Sequence, residues 1–281
     1  MSRSDNVRIF AESKRLWETD PALMEAVEHS RSRTALVPER KALANREGER
    51  IFREPVRVRV SQKRSFEAAA HYRGQGACVL NFASSTNPGG GVVTGASAQE
   101  ESLCRCSTLF PCLNTRELWD GFYQPHRDAH DPLHNDDCVY TPDIVVFRDD
   151  GTMQLLPEDR RFRVDVLTCA APNLRNNPSN GYNPGDGQAG PDISREELRR
   201  LLEKRVRRIL NLAAEKGARV LILGAFGCGA FRNPPEVVAG AMRRALEDYR
   251  LCFETVEFAV FCPPGHEENY RAFRNAFLGW N

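Results

Sequence analysis

Apolar residues along the chain change their spacing in a way that divides it into stretches. Up to about residue 50 they recur at helical intervals, as Phe10, Leu16, Trp17, Leu23, Met24 and Val27, in a charged text that carries no strand signal. From Val56 the period changes. VRVRV (56–60) alternates, and ACVLNFA (77–83) is a short apolar run that ends in small residues, the pattern of a buried strand. Helical segments are expected from about Gln99 and near Thr115–Tyr123, with further strands in DIVVFRD (143–149) and FRVDVLTCAAP (162–172). Between Asn173 and Asp192 lies a stretch rich in Asn, Gly and Pro, which predicts a long loop of the kind that forms lids or connections. Ser194 and Glu197 have capping-box spacing, and Leu198, Leu201, Leu202, Ile209, Leu212 and Ala213 follow on one helical face until Gly217. A strand (219–226), a glycine loop, a helix (about 234–249), a strand (256–262) and a helix from about Glu267 complete the chain. This alternation of strand and helix predicts a sheet with parallel pairs, covered by helices.

Charge and composition narrow the function classes. Lys and Arg number 39 against 38 Asp and Glu, so no global field would steer the protein to a polyanion or a membrane, and any polyanionic substrate must be held by a local site. No apolar run approaches the roughly 18 residues that span a bilayer, and the amino terminus lacks an apolar secretory stretch, so a cytoplasmic protein without membrane contact is expected. The nine cysteines then read as free thiols. Cys104, Cys106 and Cys112 lack the second pair or histidine spacing of a zinc site. His126, His130 and His134 would share a face only on a continuous helix, which Asp131-Pro132 breaks, so HRDAHDPLHNDD reads as a polar loop rather than a metal site. No metal or redox cofactor is expected.

The chemistry concentrates after the strand at 77–83. There Ser84-Ser85-Thr86-Asn87-Pro88 leads into Gly89, Gly90 and Gly91, and Gln99-Glu100-Glu101 follows after seven residues. Ligands of α/β sheets bind at the carboxyl ends of strands. Consecutive glycines there mean positive φ or a backbone that passes close to a ligand. The stretch NFASSTNPGGGVVTGASAQEESL resembles the signature of the poly(ADP-ribose) glycohydrolases, bacterial type, and FRVDVLTCAAPN, GAFGCGAFRNPP and the amino-terminal segment extend the resemblance over nearly the full chain. The resemblance implies a macrodomain-like three-layer α/β/α fold with a mixed central sheet, an added helical extension (1–50) and a catalytic domain (51–281). It implies hydrolysis of ribose–ribose O-glycosidic bonds in poly(ADP-ribose), releasing ADP-ribose, with cutting from chain ends. It implies Glu101 as catalytic acid/base, Glu100 on the substrate ribose, Asn87 as a distal-ribose ligand, and Gly89 to Gly91 around the distal ADP-ribose, beside Gln99. ADP-ribosylated macromolecules are the expected partners, and a monomer is the expected state.

The residues support such chemistry independently. Cleavage of a ribosyl bond builds oxocarbenium-like charge, and the leaving hydroxyl needs a proton that one carboxyl can supply and later recover from water. Adjacent glutamates on a helix point about 100° apart, so they take different jobs. Ser97-Ala98-Gln99-Glu100 also fits a capping box, which would give Glu100 a structural role instead. The helix amino terminus favours the carboxylate anion, so burial or the substrate diphosphate must raise Glu101 for it to carry a proton. A second glycine loop, Gly224 to Arg232, joins a strand to a helix that starts with Pro234-Pro235, whose free N–H groups suit an anion such as a diphosphate. Gly227, Cys228, Gly229 and Ala230 are its candidate ligand contacts. Phe231 is either a core aromatic or, as the resemblance implies, the ring that orients the distal ribose. Arg232 is either a phosphate contact or solvated. Cys228 as a nucleophile would need an activating histidine. A reader of ADP-ribose would not need Gln99-Glu100-Glu101, whereas a mono-ADP-ribosyl hydrolase would share the same acid.

Overall fold

The computed structural model describes residues 1–280. Its strands are β1 (Ala35–Val37), β2 (Arg57–Ser61), β3 (Ala77–Phe82), β4 (Cys138–Val146), β5 (Phe162–Cys169), β6 (Val220–Leu223) and β7 (Thr255–Ala259). They form one sheet in the order β1-β4-β5-β3-β6-β7-β2. Every contact from β5 through β3, β6 and β7 to β2 is parallel, while β4 pairs antiparallel with β5 and β1 antiparallel with β4. The helices are α1 (Arg3–Thr19), α2 (Pro21–Ser32), α3 (Ser65–Ala69), α4 (Gln99–Cys106), α5 (Leu109–Leu113), α6 (Arg116–Leu118), α7 (Gln124–Ala129), α8 (Arg195–Glu215), α9 (Pro235–Glu247) and α10 (Glu268–Ala276).

The alternation of side chains along β3 divides the interior in two. Cys78 and Leu80 join the apolar cluster formed with α8, α9 and α10, including Leu202, Ile209, Met242 and Phe273. Ala77 and Val79 face the opposite cluster, where α1, α2, α4 and α5 contribute Phe10, Trp17, Leu23, Leu103 and Leu109. Helices on both faces of a largely parallel sheet make three layers. The reciprocal capping box at the start of α8 is present, with Glu197 N–H donating to Ser194 Oγ at 3.2 Å and Ser194 N–H to Glu197 Oε2 at 2.9 Å.

Two local expectations change. The spacing in residues 1–50 predicts no strand, yet Ala35–Val37 pairs with Cys138–Tyr140 at the sheet edge. A three-residue strand is too short to show a period, so only its partner reveals it. The segment expected as loop from His126 instead stays helical through a π turn (Trp119–Tyr123) and α7, ending at His130 with φ of 50°. Pro125 lacks the N–H that would continue the ladder, and the wider turn immediately precedes it. Among the described residues no helix is long and apolar enough to cross a membrane.

Candidate active site

The carboxyl ends of β3, β6 and β7 open into a cavity of about 540 Å³. The glycine loop forms one wall. Gly90 N–H donates to Asn87 O at 3.0 Å and Val92 N–H to Gly89 O at 3.1 Å, a tight double turn that needs left-handed backbone at Gly89 (φ 67°) and Gly90 (φ 56°). Close approach is as important as conformation at Gly90. A Cβ there would sit 2.7 Å from Glu101 Oε1 and 3.2 Å from Glu100 Oε2.

α4 presents the three candidate residues in three different ways. Gln99 lines the cavity, but its amide is spent on β3 and α3: Oε1 accepts from Phe82 N–H at 2.9 Å, and Nε2 donates to Leu80 O at 2.8 Å and to Ser65 Oγ of α3 at 3.0 Å. Glu100 does not complete a capping box, because the N-cap is Ala98 and no side chain caps the helix. Its Oε2 accepts from Ser84 N–H at 2.7 Å and its Oε1 from Asn81 Nδ2 at 3.3 Å. Burial first, and then the neighbouring Glu101 charge, push the Glu100 carboxyl well above its ordinary range, against the N–H donors of Ser84, Asn81 and Gly89. Glu101 Oε1 accepts from Gly91 N–H at 2.9 Å. Its Oε2 is buried with no hydrogen-bond partner, although Glu101 lines the cavity.

The second loop forms the facing wall through Gly227, Gly229, Ala230 and Phe231. Gly227 (φ 74°) is held against Ala171 and Asn233, where a Cβ would lie 2.5 Å from each. Phe231 is half-buried, packs against the core, and lines the cavity. Cys228 is not among the lining residues, and burial pushes its thiol far above the usual range, which opposes a nucleophilic role. Arg232 is exposed with φ of 60°.

Asn87 lies behind the glycine loop instead of lining the cavity. Its Nδ2 donates to Tyr182 O at 2.7 Å, and its Oδ1 accepts from the Arg127 guanidinium. The long polar loop predicted at 173–192 thus folds over the site as a lid. The Tyr182 ring covers Gly91, where a Cβ would come within 2.5 Å, and Asn183 Oδ1 accepts from Ser84 Oγ at 2.9 Å. Arg3 of α1 donates to Tyr182 Oη, and Asn6 Nδ2 donates to Gly95 O at 3.1 Å. Sequence reasoning misses Tyr182, Asn183, Asn81 and Arg127. A lone aromatic in a Gly/Asn/Pro loop and an asparagine inside an apolar strand are the available signals, since a buried amide demands partners.

The cysteines and histidines have other surroundings. Cys104, Cys106 and Cys112 are buried free thiols, and no group of three or more His, Cys, Asp or Glu side chains able to hold a metal occurs among the described residues. His130 is exposed, whereas His126 and His134 are buried with ring centroids 6.2 Å apart.

Residues 10–149 match the family model of the microbial-type PARG catalytic domain. Among solved structures, the chain is 32% identical to the poly(ADP-ribose) glycohydrolase of Thermomonospora curvata, covering 98% of this chain and 100% of that one with a TM-score of 0.86. The same enzyme bound to the inhibitor ADP-HPD aligns at 31% identity, 98% and 100% coverage and a TM-score of 0.82. The Deinococcus radiodurans poly(ADP-ribose) glycohydrolase in complex with ADP-ribose aligns at 33% identity over 90% of this chain and 97% of that one, with a TM-score of 0.75. Among curated protein sequences none matches this chain.

Proposed function

Because this chain belongs to the microbial-type poly(ADP-ribose) glycohydrolases, we propose that it splits the ribose–ribose bond with Glu101 as the general acid and base. The activity is hydrolysis of the glycosidic bonds of poly(ADP-ribose). The observation that carries the assignment is an asymmetry among four carboxyl oxygens. Both oxygens of Glu100 and one of Glu101 accept N–H donors, which leaves Glu101 Oε2 alone to exchange a proton with substrate. Burial and the neighbouring Glu101 charge hold the Glu100 carboxyl well above its ordinary range, so the two side chains have unlike surroundings. In this reading Glu101, in its acid form, delivers a proton from Oε2 to the departing ribose oxygen as the glycosidic bond breaks. The carboxylate so formed then takes a proton from the water that attacks the anomeric carbon.

The walls fit a distal ADP-ribose unit. Gly89 to Gly91 allow backbone within contact of the ribose and Glu101, while Glu100 holds a ribose hydroxyl from the side opposite its N–H donors. The turn from Gly227 to Phe231, at the head of α9, suits the diphosphate through main-chain N–H groups, and Phe231 faces the distal ribose. Phe261, with the Arg64 guanidinium 4.0 Å from its ring centroid, offers a stacking surface for adenine at the other end of the cavity. Met1, Asn6 and Asn269 close the cavity from the chain termini, which supports cutting at polymer ends. Cleavage of a polymer blocked at its terminal ribose at the unblocked rate would count against end-cutting.

Product analysis on poly(ADP-ribose) with wild type and Glu101→Gln, paired with calorimetric ADP-ribose binding, tests the chemistry. Release is expected from wild type and lost in the variant while binding survives. Turnover by Glu101→Gln within about tenfold of wild type would remove Glu101 from the role, since general acid–base catalysis contributes about 10²-fold or more.

A further inference from the structure

Among the described residues three arginines are buried, and two of them are matched to their surroundings. Arg205 Nε donates to Asp136 Oδ1 at 2.7 Å, while three main-chain carbonyl oxygens accept from its Nη1 and Nη2. Arg148 donates to Glu12 Oε2 at 3.3 Å, to Ser13 Oγ at 2.8 Å and to Met153 O at 2.9 Å. Arg105 of α4 has no such set of partners. Its one side-chain hydrogen bond among the described residues runs from Nη1 to Ala96 O at 2.6 Å, its Nε has no partner, and it lines the cavity. A guanidinium keeps its charge inside a protein, so a buried one with a single neutral acceptor opposes folding. Burial draws Arg105 below its ordinary value, and Glu101 and Asp150 are the carboxyls that counter the shift.

That single bond lands on the segment that holds Glu101. Ala96 N–H donates to Gly91 O at 3.1 Å, closing the turn after the glycines, and Gly91 N–H donates to Glu101 Oε1 at 2.9 Å. Glu101 and Arg105 are four residues apart on α4, so they stand on one face with about 5–6 Å between their Cβ atoms. A closed path therefore runs from Arg105 through Ala96 and Gly91 back to Glu101. α1 fixes it at two points: Ser13 Oγ donates to Arg105 O at 2.7 Å, and Asn6 Nδ2 donates to Gly95 O at 3.1 Å.

We propose that Arg105 is a positioning residue for the catalytic acid: its guanidinium ties Ala96 to α4 and so holds Gly91 N–H on Glu101 Oε1, leaving Oε2 to meet the substrate. The proposal rests on the assignment of Glu101 as the general acid. Without the guanidinium the turn at 91–96 loosens, Gly91 N–H leaves the carboxyl, and Glu101 loses the donor that sets its orientation. A purely structural arginine would weaken the whole fold, whereas this role confines the damage to the turn and to the rate.

Arg105→Met keeps the apolar stem and removes the donors, while Arg105→Lys keeps a charge and a donor. Arg105→Met is expected to lower kcat on poly(ADP-ribose) by about tenfold to a hundredfold, with KM and calorimetric ADP-ribose affinity within about threefold of wild type, as misplacement of a reacting group does. Hydrogen exchange at the Gly91 and Ala96 amides, followed by NMR, should accelerate by about tenfold while the amides of β5 and α8 keep their wild-type rates. Arg105→Lys should recover part of both losses. A folded Arg105→Met protein with kcat within about twofold of wild type would overturn the proposal. So would a loss of kcat with unchanged exchange at Gly91 and Ala96, or exchange that rises throughout the sheet, which marks a structural arginine. A loss of ADP-ribose affinity as large as the loss of rate would make Arg105 a ligand contact instead. Exchange does not depend on turnover, so Gly91 and Ala96 would still respond to Arg105→Met if Glu101→Gln showed that another group is the acid, which keeps the two failures distinguishable.

Discussion

Gly90→Ala should damage both catalysis and stability, and the structure sets the scale. The new Cβ would stand 2.7 Å from Glu101 Oε1, whereas carbon and oxygen in favourable contact stay at about 3.3 Å or more, so the carboxyl must retreat by about 0.6 Å. That retreat stretches the 2.9 Å bond from Gly91 N–H, a hydrogen bond whose net contribution is about 0.5–1.5 kcal/mol. The φ of 56° adds left-handed strain of about 1–2 kcal/mol for alanine. Misplacement of the proton donor is expected to lower kcat by about tenfold to a hundredfold. Steady-state kinetics on poly(ADP-ribose), with thermal unfolding alongside, would measure both effects. Gly181→Ala in the lid is the control, since a Cβ there meets nothing within 4 Å. If Gly90→Ala kept kcat within about twofold of wild type while remaining folded, the placement of Glu101 against this glycine would be wrong as an account of rate, because a shift of this size should register.

Three other perturbations have directions that follow from the same site. The folded state raises Glu100 above its ordinary value near 4.5, so this group's stabilising contribution is full below that pH and is lost as pH rises through the raised value. Glu100→Gln should therefore gain stability relative to wild type as pH increases from about 4.5, and a denaturant series in which the difference moved the other way would contradict the burial argument. Gln99→Ala removes three hydrogen bonds from α4, two to β3 and one to Ser65 of α3, and is expected to cost about 1–3 kcal/mol in denaturant unfolding while also lowering kcat; an unchanged midpoint would show that the amide does not anchor the helix. Cys228→Ser should keep kcat within about threefold, because the thiol is pushed far above its usual range and stays protonated, and a loss of about a hundredfold or more would revive a covalent route.

Part of this protein could be read from one dimension. The strands at 77–82, 162–169, 220–223 and 255–259, the capped helix after Ser194 and the paired glycine loops all follow from periodicity, capping chemistry and the steric needs of glycine, which act over a few residues. Gly89–Gly91 and Glu101 were legible for the same reason: the close approach that excludes a Cβ and the acid that follows are encoded within one loop and one helix turn. The different directions of the Glu100 and Glu101 side chains were legible only as an angle on a helix, and their hydrogen-bond partners were not. Glu100 turns to Asn81 and Ser84, which a capping-box reading of Ser97 could not foresee.

The local text therefore determined where the glycines, the acid and most of the sheet would lie, because backbone sterics and hydrophobic spacing are properties of neighbouring residues. Tertiary structure alone decided that Ala35–Val37 completes the sheet edge, that Gln99 and Asn87 spend their amides on protein partners, and that Tyr182, Asn183 and Asp186 close the loop at 173–192 over the site. The physical reason is common to all three. Each depends on satisfying buried polar groups, or on pairing a short strand, with partners in other segments of the chain, and sequence spacing carries no record of which distant donor meets which acceptor.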